Sequence, residues 1–152
     1  MTTIVYRDGL MAVDTRAYIG NCASLGKKVK LHRLDDGTLI AASTRDVGVP
    51  DAVVAWFSEG MKDGPSGLKE RLALTQEVGF EMLAVASDGV ATYVDGNALP
   101  TKAKADFYAV GSGSQYALGA MEAGATAEEA CRIACKLDPW TEEPIEVMGH
   151  SG

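Results

Sequence analysis

The chain has 152 residues, a formal net charge of −7 and a pI of about 4.8. Its length and its ordinary balance of apolar and charged residues are typical of a single globular domain. The acidic balance argues against nucleic acid as the main partner, because phosphate binding needs a basic patch. No apolar run is long enough to cross a membrane, and the N-terminus lacks the pattern of a signal peptide. We therefore predict one cytoplasmic domain, residues 1–152, with no nucleic-acid or membrane partner.

The three cysteines, Cys22, Cys131 and Cys135, do not describe a disulfide framework, because their number is odd and no spacing pairs them. Cys131 and Cys135 lie four residues apart and would share one face of a helix, where we interpret them as small core residues. A zinc site would need further ligands, and the sequence holds only two histidines, His32 and His150. We predict neither a metal ion nor a cofactor.

The first third of the chain predicts two β-hairpins, each recognised by its turn. Asp8-Gly9 is a strong hairpin signal between two short β-prone runs. Asp35-Asp36-Gly37 is the second turn, and a Gly-, Asn- and Ser-bearing loop at residues 20–26 separates the hairpins. The first hairpin brings Asp14, at the end of its second run, back beside Thr2. The four predicted strands are residues 2–6, 10–14, 29–34 and 38–42.

The rest of the chain predicts helices and strands in alternating groups. Pro50 suits a first helical turn and an apolar stripe follows it, whereas Asp63-Gly64-Pro65-Ser66-Gly67 predicts a break. Thr126 and Glu129 form the pattern of a capping box for the last helix, which Pro139 ends. The predicted helices are residues 50–60, 68–77, 115–123 and the segment between Thr126 and Pro139. The predicted strands are residues 80–86, 90–94, 107–110 and 145–148, with a polar loop at 97–106.

Strand runs and helix runs are segregated along the chain, and the hairpins are antiparallel. Two stacked antiparallel sheets with helices on their outer faces satisfy this order. The fold class predicted is therefore α+β, a four-layer αββα sandwich. The apolar positions Trp56-Phe57 and Trp140 are the interface signals in the sequence.

Five segments, taken in order, resemble the proteasome β-subunit and HslV family of N-terminal-nucleophile (Ntn) hydrolases. The chain start is similar to that of an HslV subunit, where the initiator methionine is removed. Asp14 and Lys30 lie sixteen positions apart, which is the family spacing. The resemblance covers nearly the whole chain and implies the Ntn-hydrolase fold. The segments are Met1–Val5, Leu10–Ala17, Lys28–Leu34, Phe107–Ser114, and Asp138 with Thr141.

The resemblance implies that Thr2 is the catalytic nucleophile once Met1 has been removed. Its hydroxyl would attack an amide carbonyl, and its own α-amine would take the proton, because that amine titrates not far above neutrality. The positive charge of Lys30 would lower the pKa of the Thr2 hydroxyl. Asp14 would hold Lys30 charged and oriented, since a buried lysine without a partner tends to neutralise.

The resemblance also implies the polar surroundings of the nucleophile. Ser112, Asp138 and Thr141 correspond to the shell around the α-amine. The family's oxyanion hole uses a backbone N–H in a glycine-containing segment after the second hairpin. Gly48 is the nearest candidate for that N–H, although the charged pair Arg45-Asp46 beside it departs from the family's pattern.

Three functions are compatible with these observations. The leading hypothesis is a threonine-type endopeptidase subunit of a self-compartmentalising homo-oligomeric ring, with unfolded polypeptide as substrate and an ATPase unfoldase as partner. The alternative is a catalytically inactive proteasome-like protein with a structural or assembly role. A small-molecule amidase of the same fold ranks last, because no sequence feature indicates a pocket for a particular ligand.

Overall fold

The structure is a computed structural model that describes residues 2–18, 24–44, 48–72 and 79–151. The described elements, in chain order, are β1 (Thr3–Arg7), β2 (Leu10–Asp14), β3 (Arg16–Tyr18), β4 (Ser24–Lys27), β5 (Leu31–Arg33), β6 (Leu39–Thr44), α1 (Val49–Ser58), α2 (Gly64–Arg71), β7 (Phe80–Val85), β8 (Val90–Asp95), β9 (Thr101–Lys104), β10 (Phe107–Gly111), α3 (Ser114–Glu122), α4 (Ala127–Leu137) and β11 (Ile145–Gly149).

The strands form two main antiparallel sheets and a short ribbon. The first sheet has the order β10-β1-β2-β11, and the second has the order β5-β6-β7-β8-β9. The ribbon pairs β3 with β4. Asp8 and Gly9 turn the chain between β1 and β2 with φ angles of 51° and 80°, as expected for a tight hairpin turn. The predicted first hairpin is therefore confirmed, and it places β1 in the centre of the first sheet.

Side-chain alternation along the strands separates three apolar layers. In β1, Ile4 and Tyr6 point toward the second sheet, whereas Val5 points toward α3 and α4. On the far side, α1 and α2 cover the outer face of the second sheet through Trp56 and Leu68. The layers therefore run helices, sheet, sheet, helices, and the predicted αββα sandwich is confirmed. Both sheets are buried on both faces, which explains why their central strands are continuous apolar runs.

Helix α4 forms where the sequence predicts it. The Thr126 hydroxyl accepts from the Glu129 N–H and the Glu129 carboxylate accepts from the Thr126 N–H, which completes the capping box. Cys131 is completely buried against the first sheet and Cys135 is half-buried; both are free thiols. Cys22 lies outside the described residues. The interpretation of Cys131 as a core residue is confirmed.

The second helix begins earlier than predicted. The cluster Asp63–Gly67 was expected to break the chain, but α2 starts at Gly64 within it. Asp63 takes a left-handed conformation that reverses the chain, and Pro65 then lies in the first helical turn, where its missing N–H costs nothing. Gly67 packs so close to the Lys62 carbonyl that a Cβ would lie 2.1 Å from it. The predicted continuation to residue 77 lies largely outside the described residues.

Two loops contain strands that were not predicted. The 97–106 segment holds β9, whose four residues are all exposed at the edge of the second sheet. The segment around residues 20–26 contributes β4, which pairs with β3 away from both main sheets. Strand β9 exposes all four residues, so it lacks the alternation of buried and exposed residues that identifies a strand in sequence. Trp56, predicted as an interface residue, is instead completely buried, and its indole N–H donates to the Lys62 carbonyl.

A tyrosine–histidine pair joins the two sheets at one end of the sandwich. The Tyr6 hydroxyl lies 2.9 Å from His150 Nε2, and His150 Nδ1 lies 2.9 Å from the Gly37 carbonyl oxygen. Since a carbonyl only accepts, His150 donates from Nδ1, and Nε2 of the neutral ring accepts from Tyr6. Burial is the main cause that raises the pKa of Tyr6 above its usual value.

We expect Tyr6→Phe to lower the free energy of unfolding by about 1 kcal/mol at neutral pH, the usual worth of one such hydrogen bond. Because the pKa of Tyr6 is higher in the folded state, the unfolded chain loses this proton first as pH rises. The free energy of unfolding of the wild type should therefore decrease above about pH 10, and that of the variant should decrease less steeply. Urea unfolding of both proteins at neutral and alkaline pH measures this, and equal alkaline slopes would contradict it.

Candidate active site

The backbone of Thr2 is held between the two sheets. Thr2 directly precedes β1 and is only 2% exposed. Its carbonyl oxygen accepts from the Ser112 N–H at 3.0 Å and lies 3.4 Å from the Ser43 hydroxyl, which donates to it. Ser112 follows β10 in the first sheet, whereas Ser43 belongs to β6 in the second. The predicted nucleophile therefore occupies a position that both sheets define.

Asp14 ends β2 and is completely buried, and its carboxylate accepts four hydrogen bonds. One carboxylate oxygen, Oδ1, accepts from the Thr3 N–H and from the Lys30 ammonium, each at 3.1 Å. The other, Oδ2, accepts from the N–H groups of Arg16 at 3.2 Å and Glu142 at 3.3 Å. The Lys30 ammonium and the N–H of Thr3, the residue after Thr2, therefore share one acceptor oxygen.

Lys30 and Asp14 form a buried ion pair. Lys30 is 5% exposed and Asp14 is fully enclosed. Burial lowers the pKa of Lys30 and raises the pKa of Asp14, because it removes both charged forms from water. The attraction between the two groups opposes both shifts, and the backbone N–H donors further favour the ionised carboxylate. Each charge therefore depends on the other.

The second half of the site is centred on Asp138, which follows the end of α4. The Ser112 hydroxyl donates to Asp138 Oδ2 at 2.6 Å, and the Thr141 hydroxyl donates to the same oxygen. Asp138 Oδ1 accepts from the Trp140 N–H at 3.3 Å. Asp138 is thereby fixed by its own loop, and of the two hydroxyl groups that it holds, that of Thr141 contacts Thr3.

Thr3 connects the two halves and was not singled out from the sequence. It is completely buried, and its hydroxyl oxygen accepts from the Gly113 N–H at 3.0 Å. It lies 2.8 Å from Thr141 Oγ1, and since Thr141 already donates to Asp138, Thr3 is the donor in that contact. The only available sequence signal was its position next to Thr2. The structure thus brings together six predicted residues, Thr2, Asp14, Lys30, Ser112, Asp138 and Thr141, through contacts that include Thr3.

Gly48 is the predicted site residue that the structure does not bring into this network. It is exposed and caps the N-terminus of α1. Among the hydrogen bonds of the described ranges, none joins Gly48 to Thr2 or to its surroundings. Arg45 and Asp46 lie outside the described residues. The contact from this part of the chain to Thr2 comes from Ser43, which the sequence analysis did not single out.

We expect Lys30→Met to lower the free energy of unfolding by about 3–5 kcal/mol, because it leaves the Asp14 charge buried without its partner. Arg132→Met is the control for an exposed pair: Arg132 pairs with Glu128 and Glu143, and all three side chains are about half exposed, so its loss should cost about 1 kcal/mol or less. Chemical denaturation of the two variants and the wild type measures both values. Equal losses at the two positions would contradict the buried-pair interpretation.

No protein-family model matches the chain, and no curated protein matches it. Solved structures do. BPH from Thiobacillus denitrificans, in complex with epoxomicin, is 23% identical, with a TM-score of 0.70 over 99% of both chains. The eukaryotic HslV from Trypanosoma brucei is 19% identical, with a TM-score of 0.70 over 99% of this chain and 100% of that one. Anbu (ancestral beta-subunit) from Yersinia bercovieri is 11% identical, with a TM-score of 0.71 over 97% of this chain and 80% of that one.

These likenesses confirm the predicted fold class. The chain has the αββα fold that HslV, BPH and Anbu also have, and the match extends over nearly its full length. At these identities the similarity concerns the fold. In the described part of the chain, no helix combines the length and apolar character that crossing a membrane requires.

Proposed function

We propose that the protein is a threonine-type endopeptidase whose nucleophile is Thr2 after removal of Met1. The observation that carries this proposal is the set of contacts around the chain start. The buried Asp14–Lys30 pair accepts from the Thr3 N–H, and the Ser112–Asp138–Thr141 group contacts the Thr3 hydroxyl. A buried cation and a row of oriented hydroxyl groups next to the N-terminus are what an N-terminal nucleophile needs.

The proposed reaction uses these residues. The Thr2 hydroxyl attacks the carbonyl carbon of a peptide bond, and the proton passes to the α-amine of the same residue. The Lys30 charge lowers the pKa of the hydroxyl and stabilises the developing negative charge. The amine returns the proton to the leaving nitrogen, and water then hydrolyses the ester formed on Thr2. The Ser112 and Thr141 hydroxyls, held by Asp138, keep the amine oriented. The N–H of Gly48 is the candidate donor to the oxyanion.

The substrate and assembly proposed are those of the leading sequence hypothesis. The substrate is unfolded polypeptide, the assembly is a homo-oligomeric ring, and the partner is an ATPase unfoldase. The shared fold with HslV and Anbu supports this choice. Trp140, Leu137 and Ile133 leave large apolar side chains exposed on and after α4, which suits a surface that another copy covers.

Intact mass followed by labelling with epoxomicin, the compound in the BPH complex, tests the proposal. We expect a mass without Met1, then an increase by one epoxomicin molecule per chain, together with cleavage of an unfolded polypeptide such as casein. Protein that retains Met1 should not be labelled, because Thr2 then has no free amine. Processed protein that neither reacts nor cleaves would contradict the proposal.

The alternative is a catalytically inactive proteasome-like protein with a structural or assembly role. The charged Arg45-Asp46 pair beside Gly48 favours it, because it departs from the glycine-containing segment that the resemblance implies for the oxyanion hole. This alternative expects a ring in solution, measured by light scattering, without turnover even when Met1 is absent. A small-molecule amidase would cleave a small amide substrate but not casein.

A further inference from the structure

A glutamate from the second sheet contacts β10, the strand that directly precedes the Ser112 N–H bound to the Thr2 carbonyl. Glu81 lies in β7, and its Oε2 accepts from the Gly111 N–H in β10 at 2.8 Å. Glu81 is also directly opposite Ser43 in the pairing of β6 with β7, so the two side chains project from the same face of the second sheet. Ser43 donates to the Thr2 carbonyl. Glu81 and Ser43 therefore both cross the gap between the sheets beside the chain start.

The pairing of β10 with β1 explains why Gly111 needs an acceptor from elsewhere. Thr3 is paired with Gly111, and the Ser112 N–H donates to the Thr2 carbonyl. Successive N–H groups of an antiparallel strand point to opposite sides, so the Gly111 N–H points away from β1. β10 is the edge strand of the first sheet, and no further strand covers that side in the described part of the chain. Glu81 supplies the missing acceptor.

The segment that Glu81 holds is the one that fixes both threonines. Immediately after Gly111, the Ser112 N–H binds the Thr2 carbonyl and the Gly113 N–H binds the Thr3 hydroxyl. A shift of this segment would therefore move Thr2 and Thr3 together. We propose that Glu81 is a positioning residue for the Thr2 nucleophile, acting through residues 111–113; this inference rests on the proposed function.

Glu81 also brings a negative charge to this end of the sandwich. Asp95 lies directly opposite it in β8, and Tyr93, which pairs with Leu83, lies two pairs further along. Burial is the largest cause that raises the pKa of Tyr93, and the charges of Glu81 and Asp95 add to it. The other charged groups of the site are Asp14 and Lys30, whose contacts reach the Thr3 N–H, and Asp138, which accepts from Ser112. Removing the Glu81 charge alone should therefore destabilise the protonated α-amine of Thr2 without removing the hydrogen bond to Gly111.

Two variants separate the hydrogen bond from the charge. Glu81→Leu removes the acceptor, and we expect kcat to fall on the order of 10²-fold with KM little changed, because the nucleophile is misplaced and Glu81 does not touch substrate. Glu81→Gln keeps an acceptor oxygen, so kcat should stay close to wild type while the acidic limb of the kcat/KM profile moves to lower pH. The same two changes at Glu70, exposed on α2, serve as controls that should alter neither quantity.

Hydrogen exchange of the Gly111 amide, followed by NMR, tests the contact without any need for turnover. The Gly111 amide hydrogen should exchange faster in Glu81→Leu than in the wild type or in Glu81→Gln. Unchanged kcat and pH profile in both folded Glu81 variants, or unchanged Gly111 exchange, would overturn the inference. If Glu81→Leu does not fold, Glu81→Asp, whose shorter side chain withdraws the acceptor from Gly111, replaces it in both measurements. A processed wild type without turnover overturns the proposed function, and the exchange of Gly111 then still decides whether Glu81 holds the segment.

Discussion

A Thr2→Ala protein is expected to fold and to lose at least about 10³-fold in kcat, the scale on which removal of a nucleophile acts in other hydrolases. The contacts that hold residue 2 in place use its backbone carbonyl, with Ser112 and Ser43 as donors, and these survive the substitution. Thr2→Ser keeps the hydroxyl and should retain measurable turnover. The effect therefore reports chemistry and not folding.

The measurement is casein cleavage by processed protein, with thermal unfolding of the same samples as the control for folding. Met1 must be absent in wild type and in both variants, as judged by intact mass. A Thr2→Ala protein that cleaves as fast as wild type would rule out Thr2 as the nucleophile. Loss of both stability and turnover would instead indicate that Thr2 is needed for packing.

Gly111→Ala is expected to lower the free energy of unfolding by more than about 3 kcal/mol and to abolish turnover, since steric overlap in a core costs on this scale. A Cβ at this position would lie 1.7 Å from the Thr2 carbonyl oxygen, and the backbone φ is +99°. Both the β1–β10 pairing and the left-handed backbone would have to change. Because the obstacle is the Thr2 backbone, relief of the overlap would displace the nucleophile itself.

Gly119→Ala is the matched control on α3. A Cβ at that position meets nothing within 4 Å, and the residue lies inside a helix. There the same substitution should stabilise the protein by about 0.5–1 kcal/mol, because alanine has the higher helix propensity. If the close approach at Gly111 is real, urea unfolding will show a lower free energy of unfolding for Gly111→Ala and a higher one for Gly119→Ala. A Gly111→Ala protein as stable as wild type would contradict it.

Local signals explain which parts of the fold could be predicted from the sequence. The Asp8-Gly9 turn, the Thr126–Glu129 capping box and Pro139 each act over a few residues, so they mark their elements directly. Residues of the resembling segments likewise converge in the structure, from Asp14 with Lys30 to Ser112 with Asp138.

Contacts between residues far apart in the sequence explain which site residues could not be predicted. The role of Thr3 depends on partners at positions 113 and 141, and that of Glu81 on a strand of the other sheet, so neither has a local signal. Strand β9 was missed because an edge strand with four exposed residues lacks alternation. Asp63 begins a helix because the chain reverses there in a left-handed conformation, which composition alone does not indicate.

The network around Thr2 unites the two ends of the polypeptide: Thr3 and Thr141 share a hydrogen bond although 138 positions separate them. During translation the N-terminal part emerges first. A nascent chain that has not yet reached Thr141 can expose Thr2, but it lacks Asp138 and the hydroxyl that Asp138 orients. On the proposed function, Thr2 therefore acquires its complete surroundings only after residues 138–141 have been synthesised.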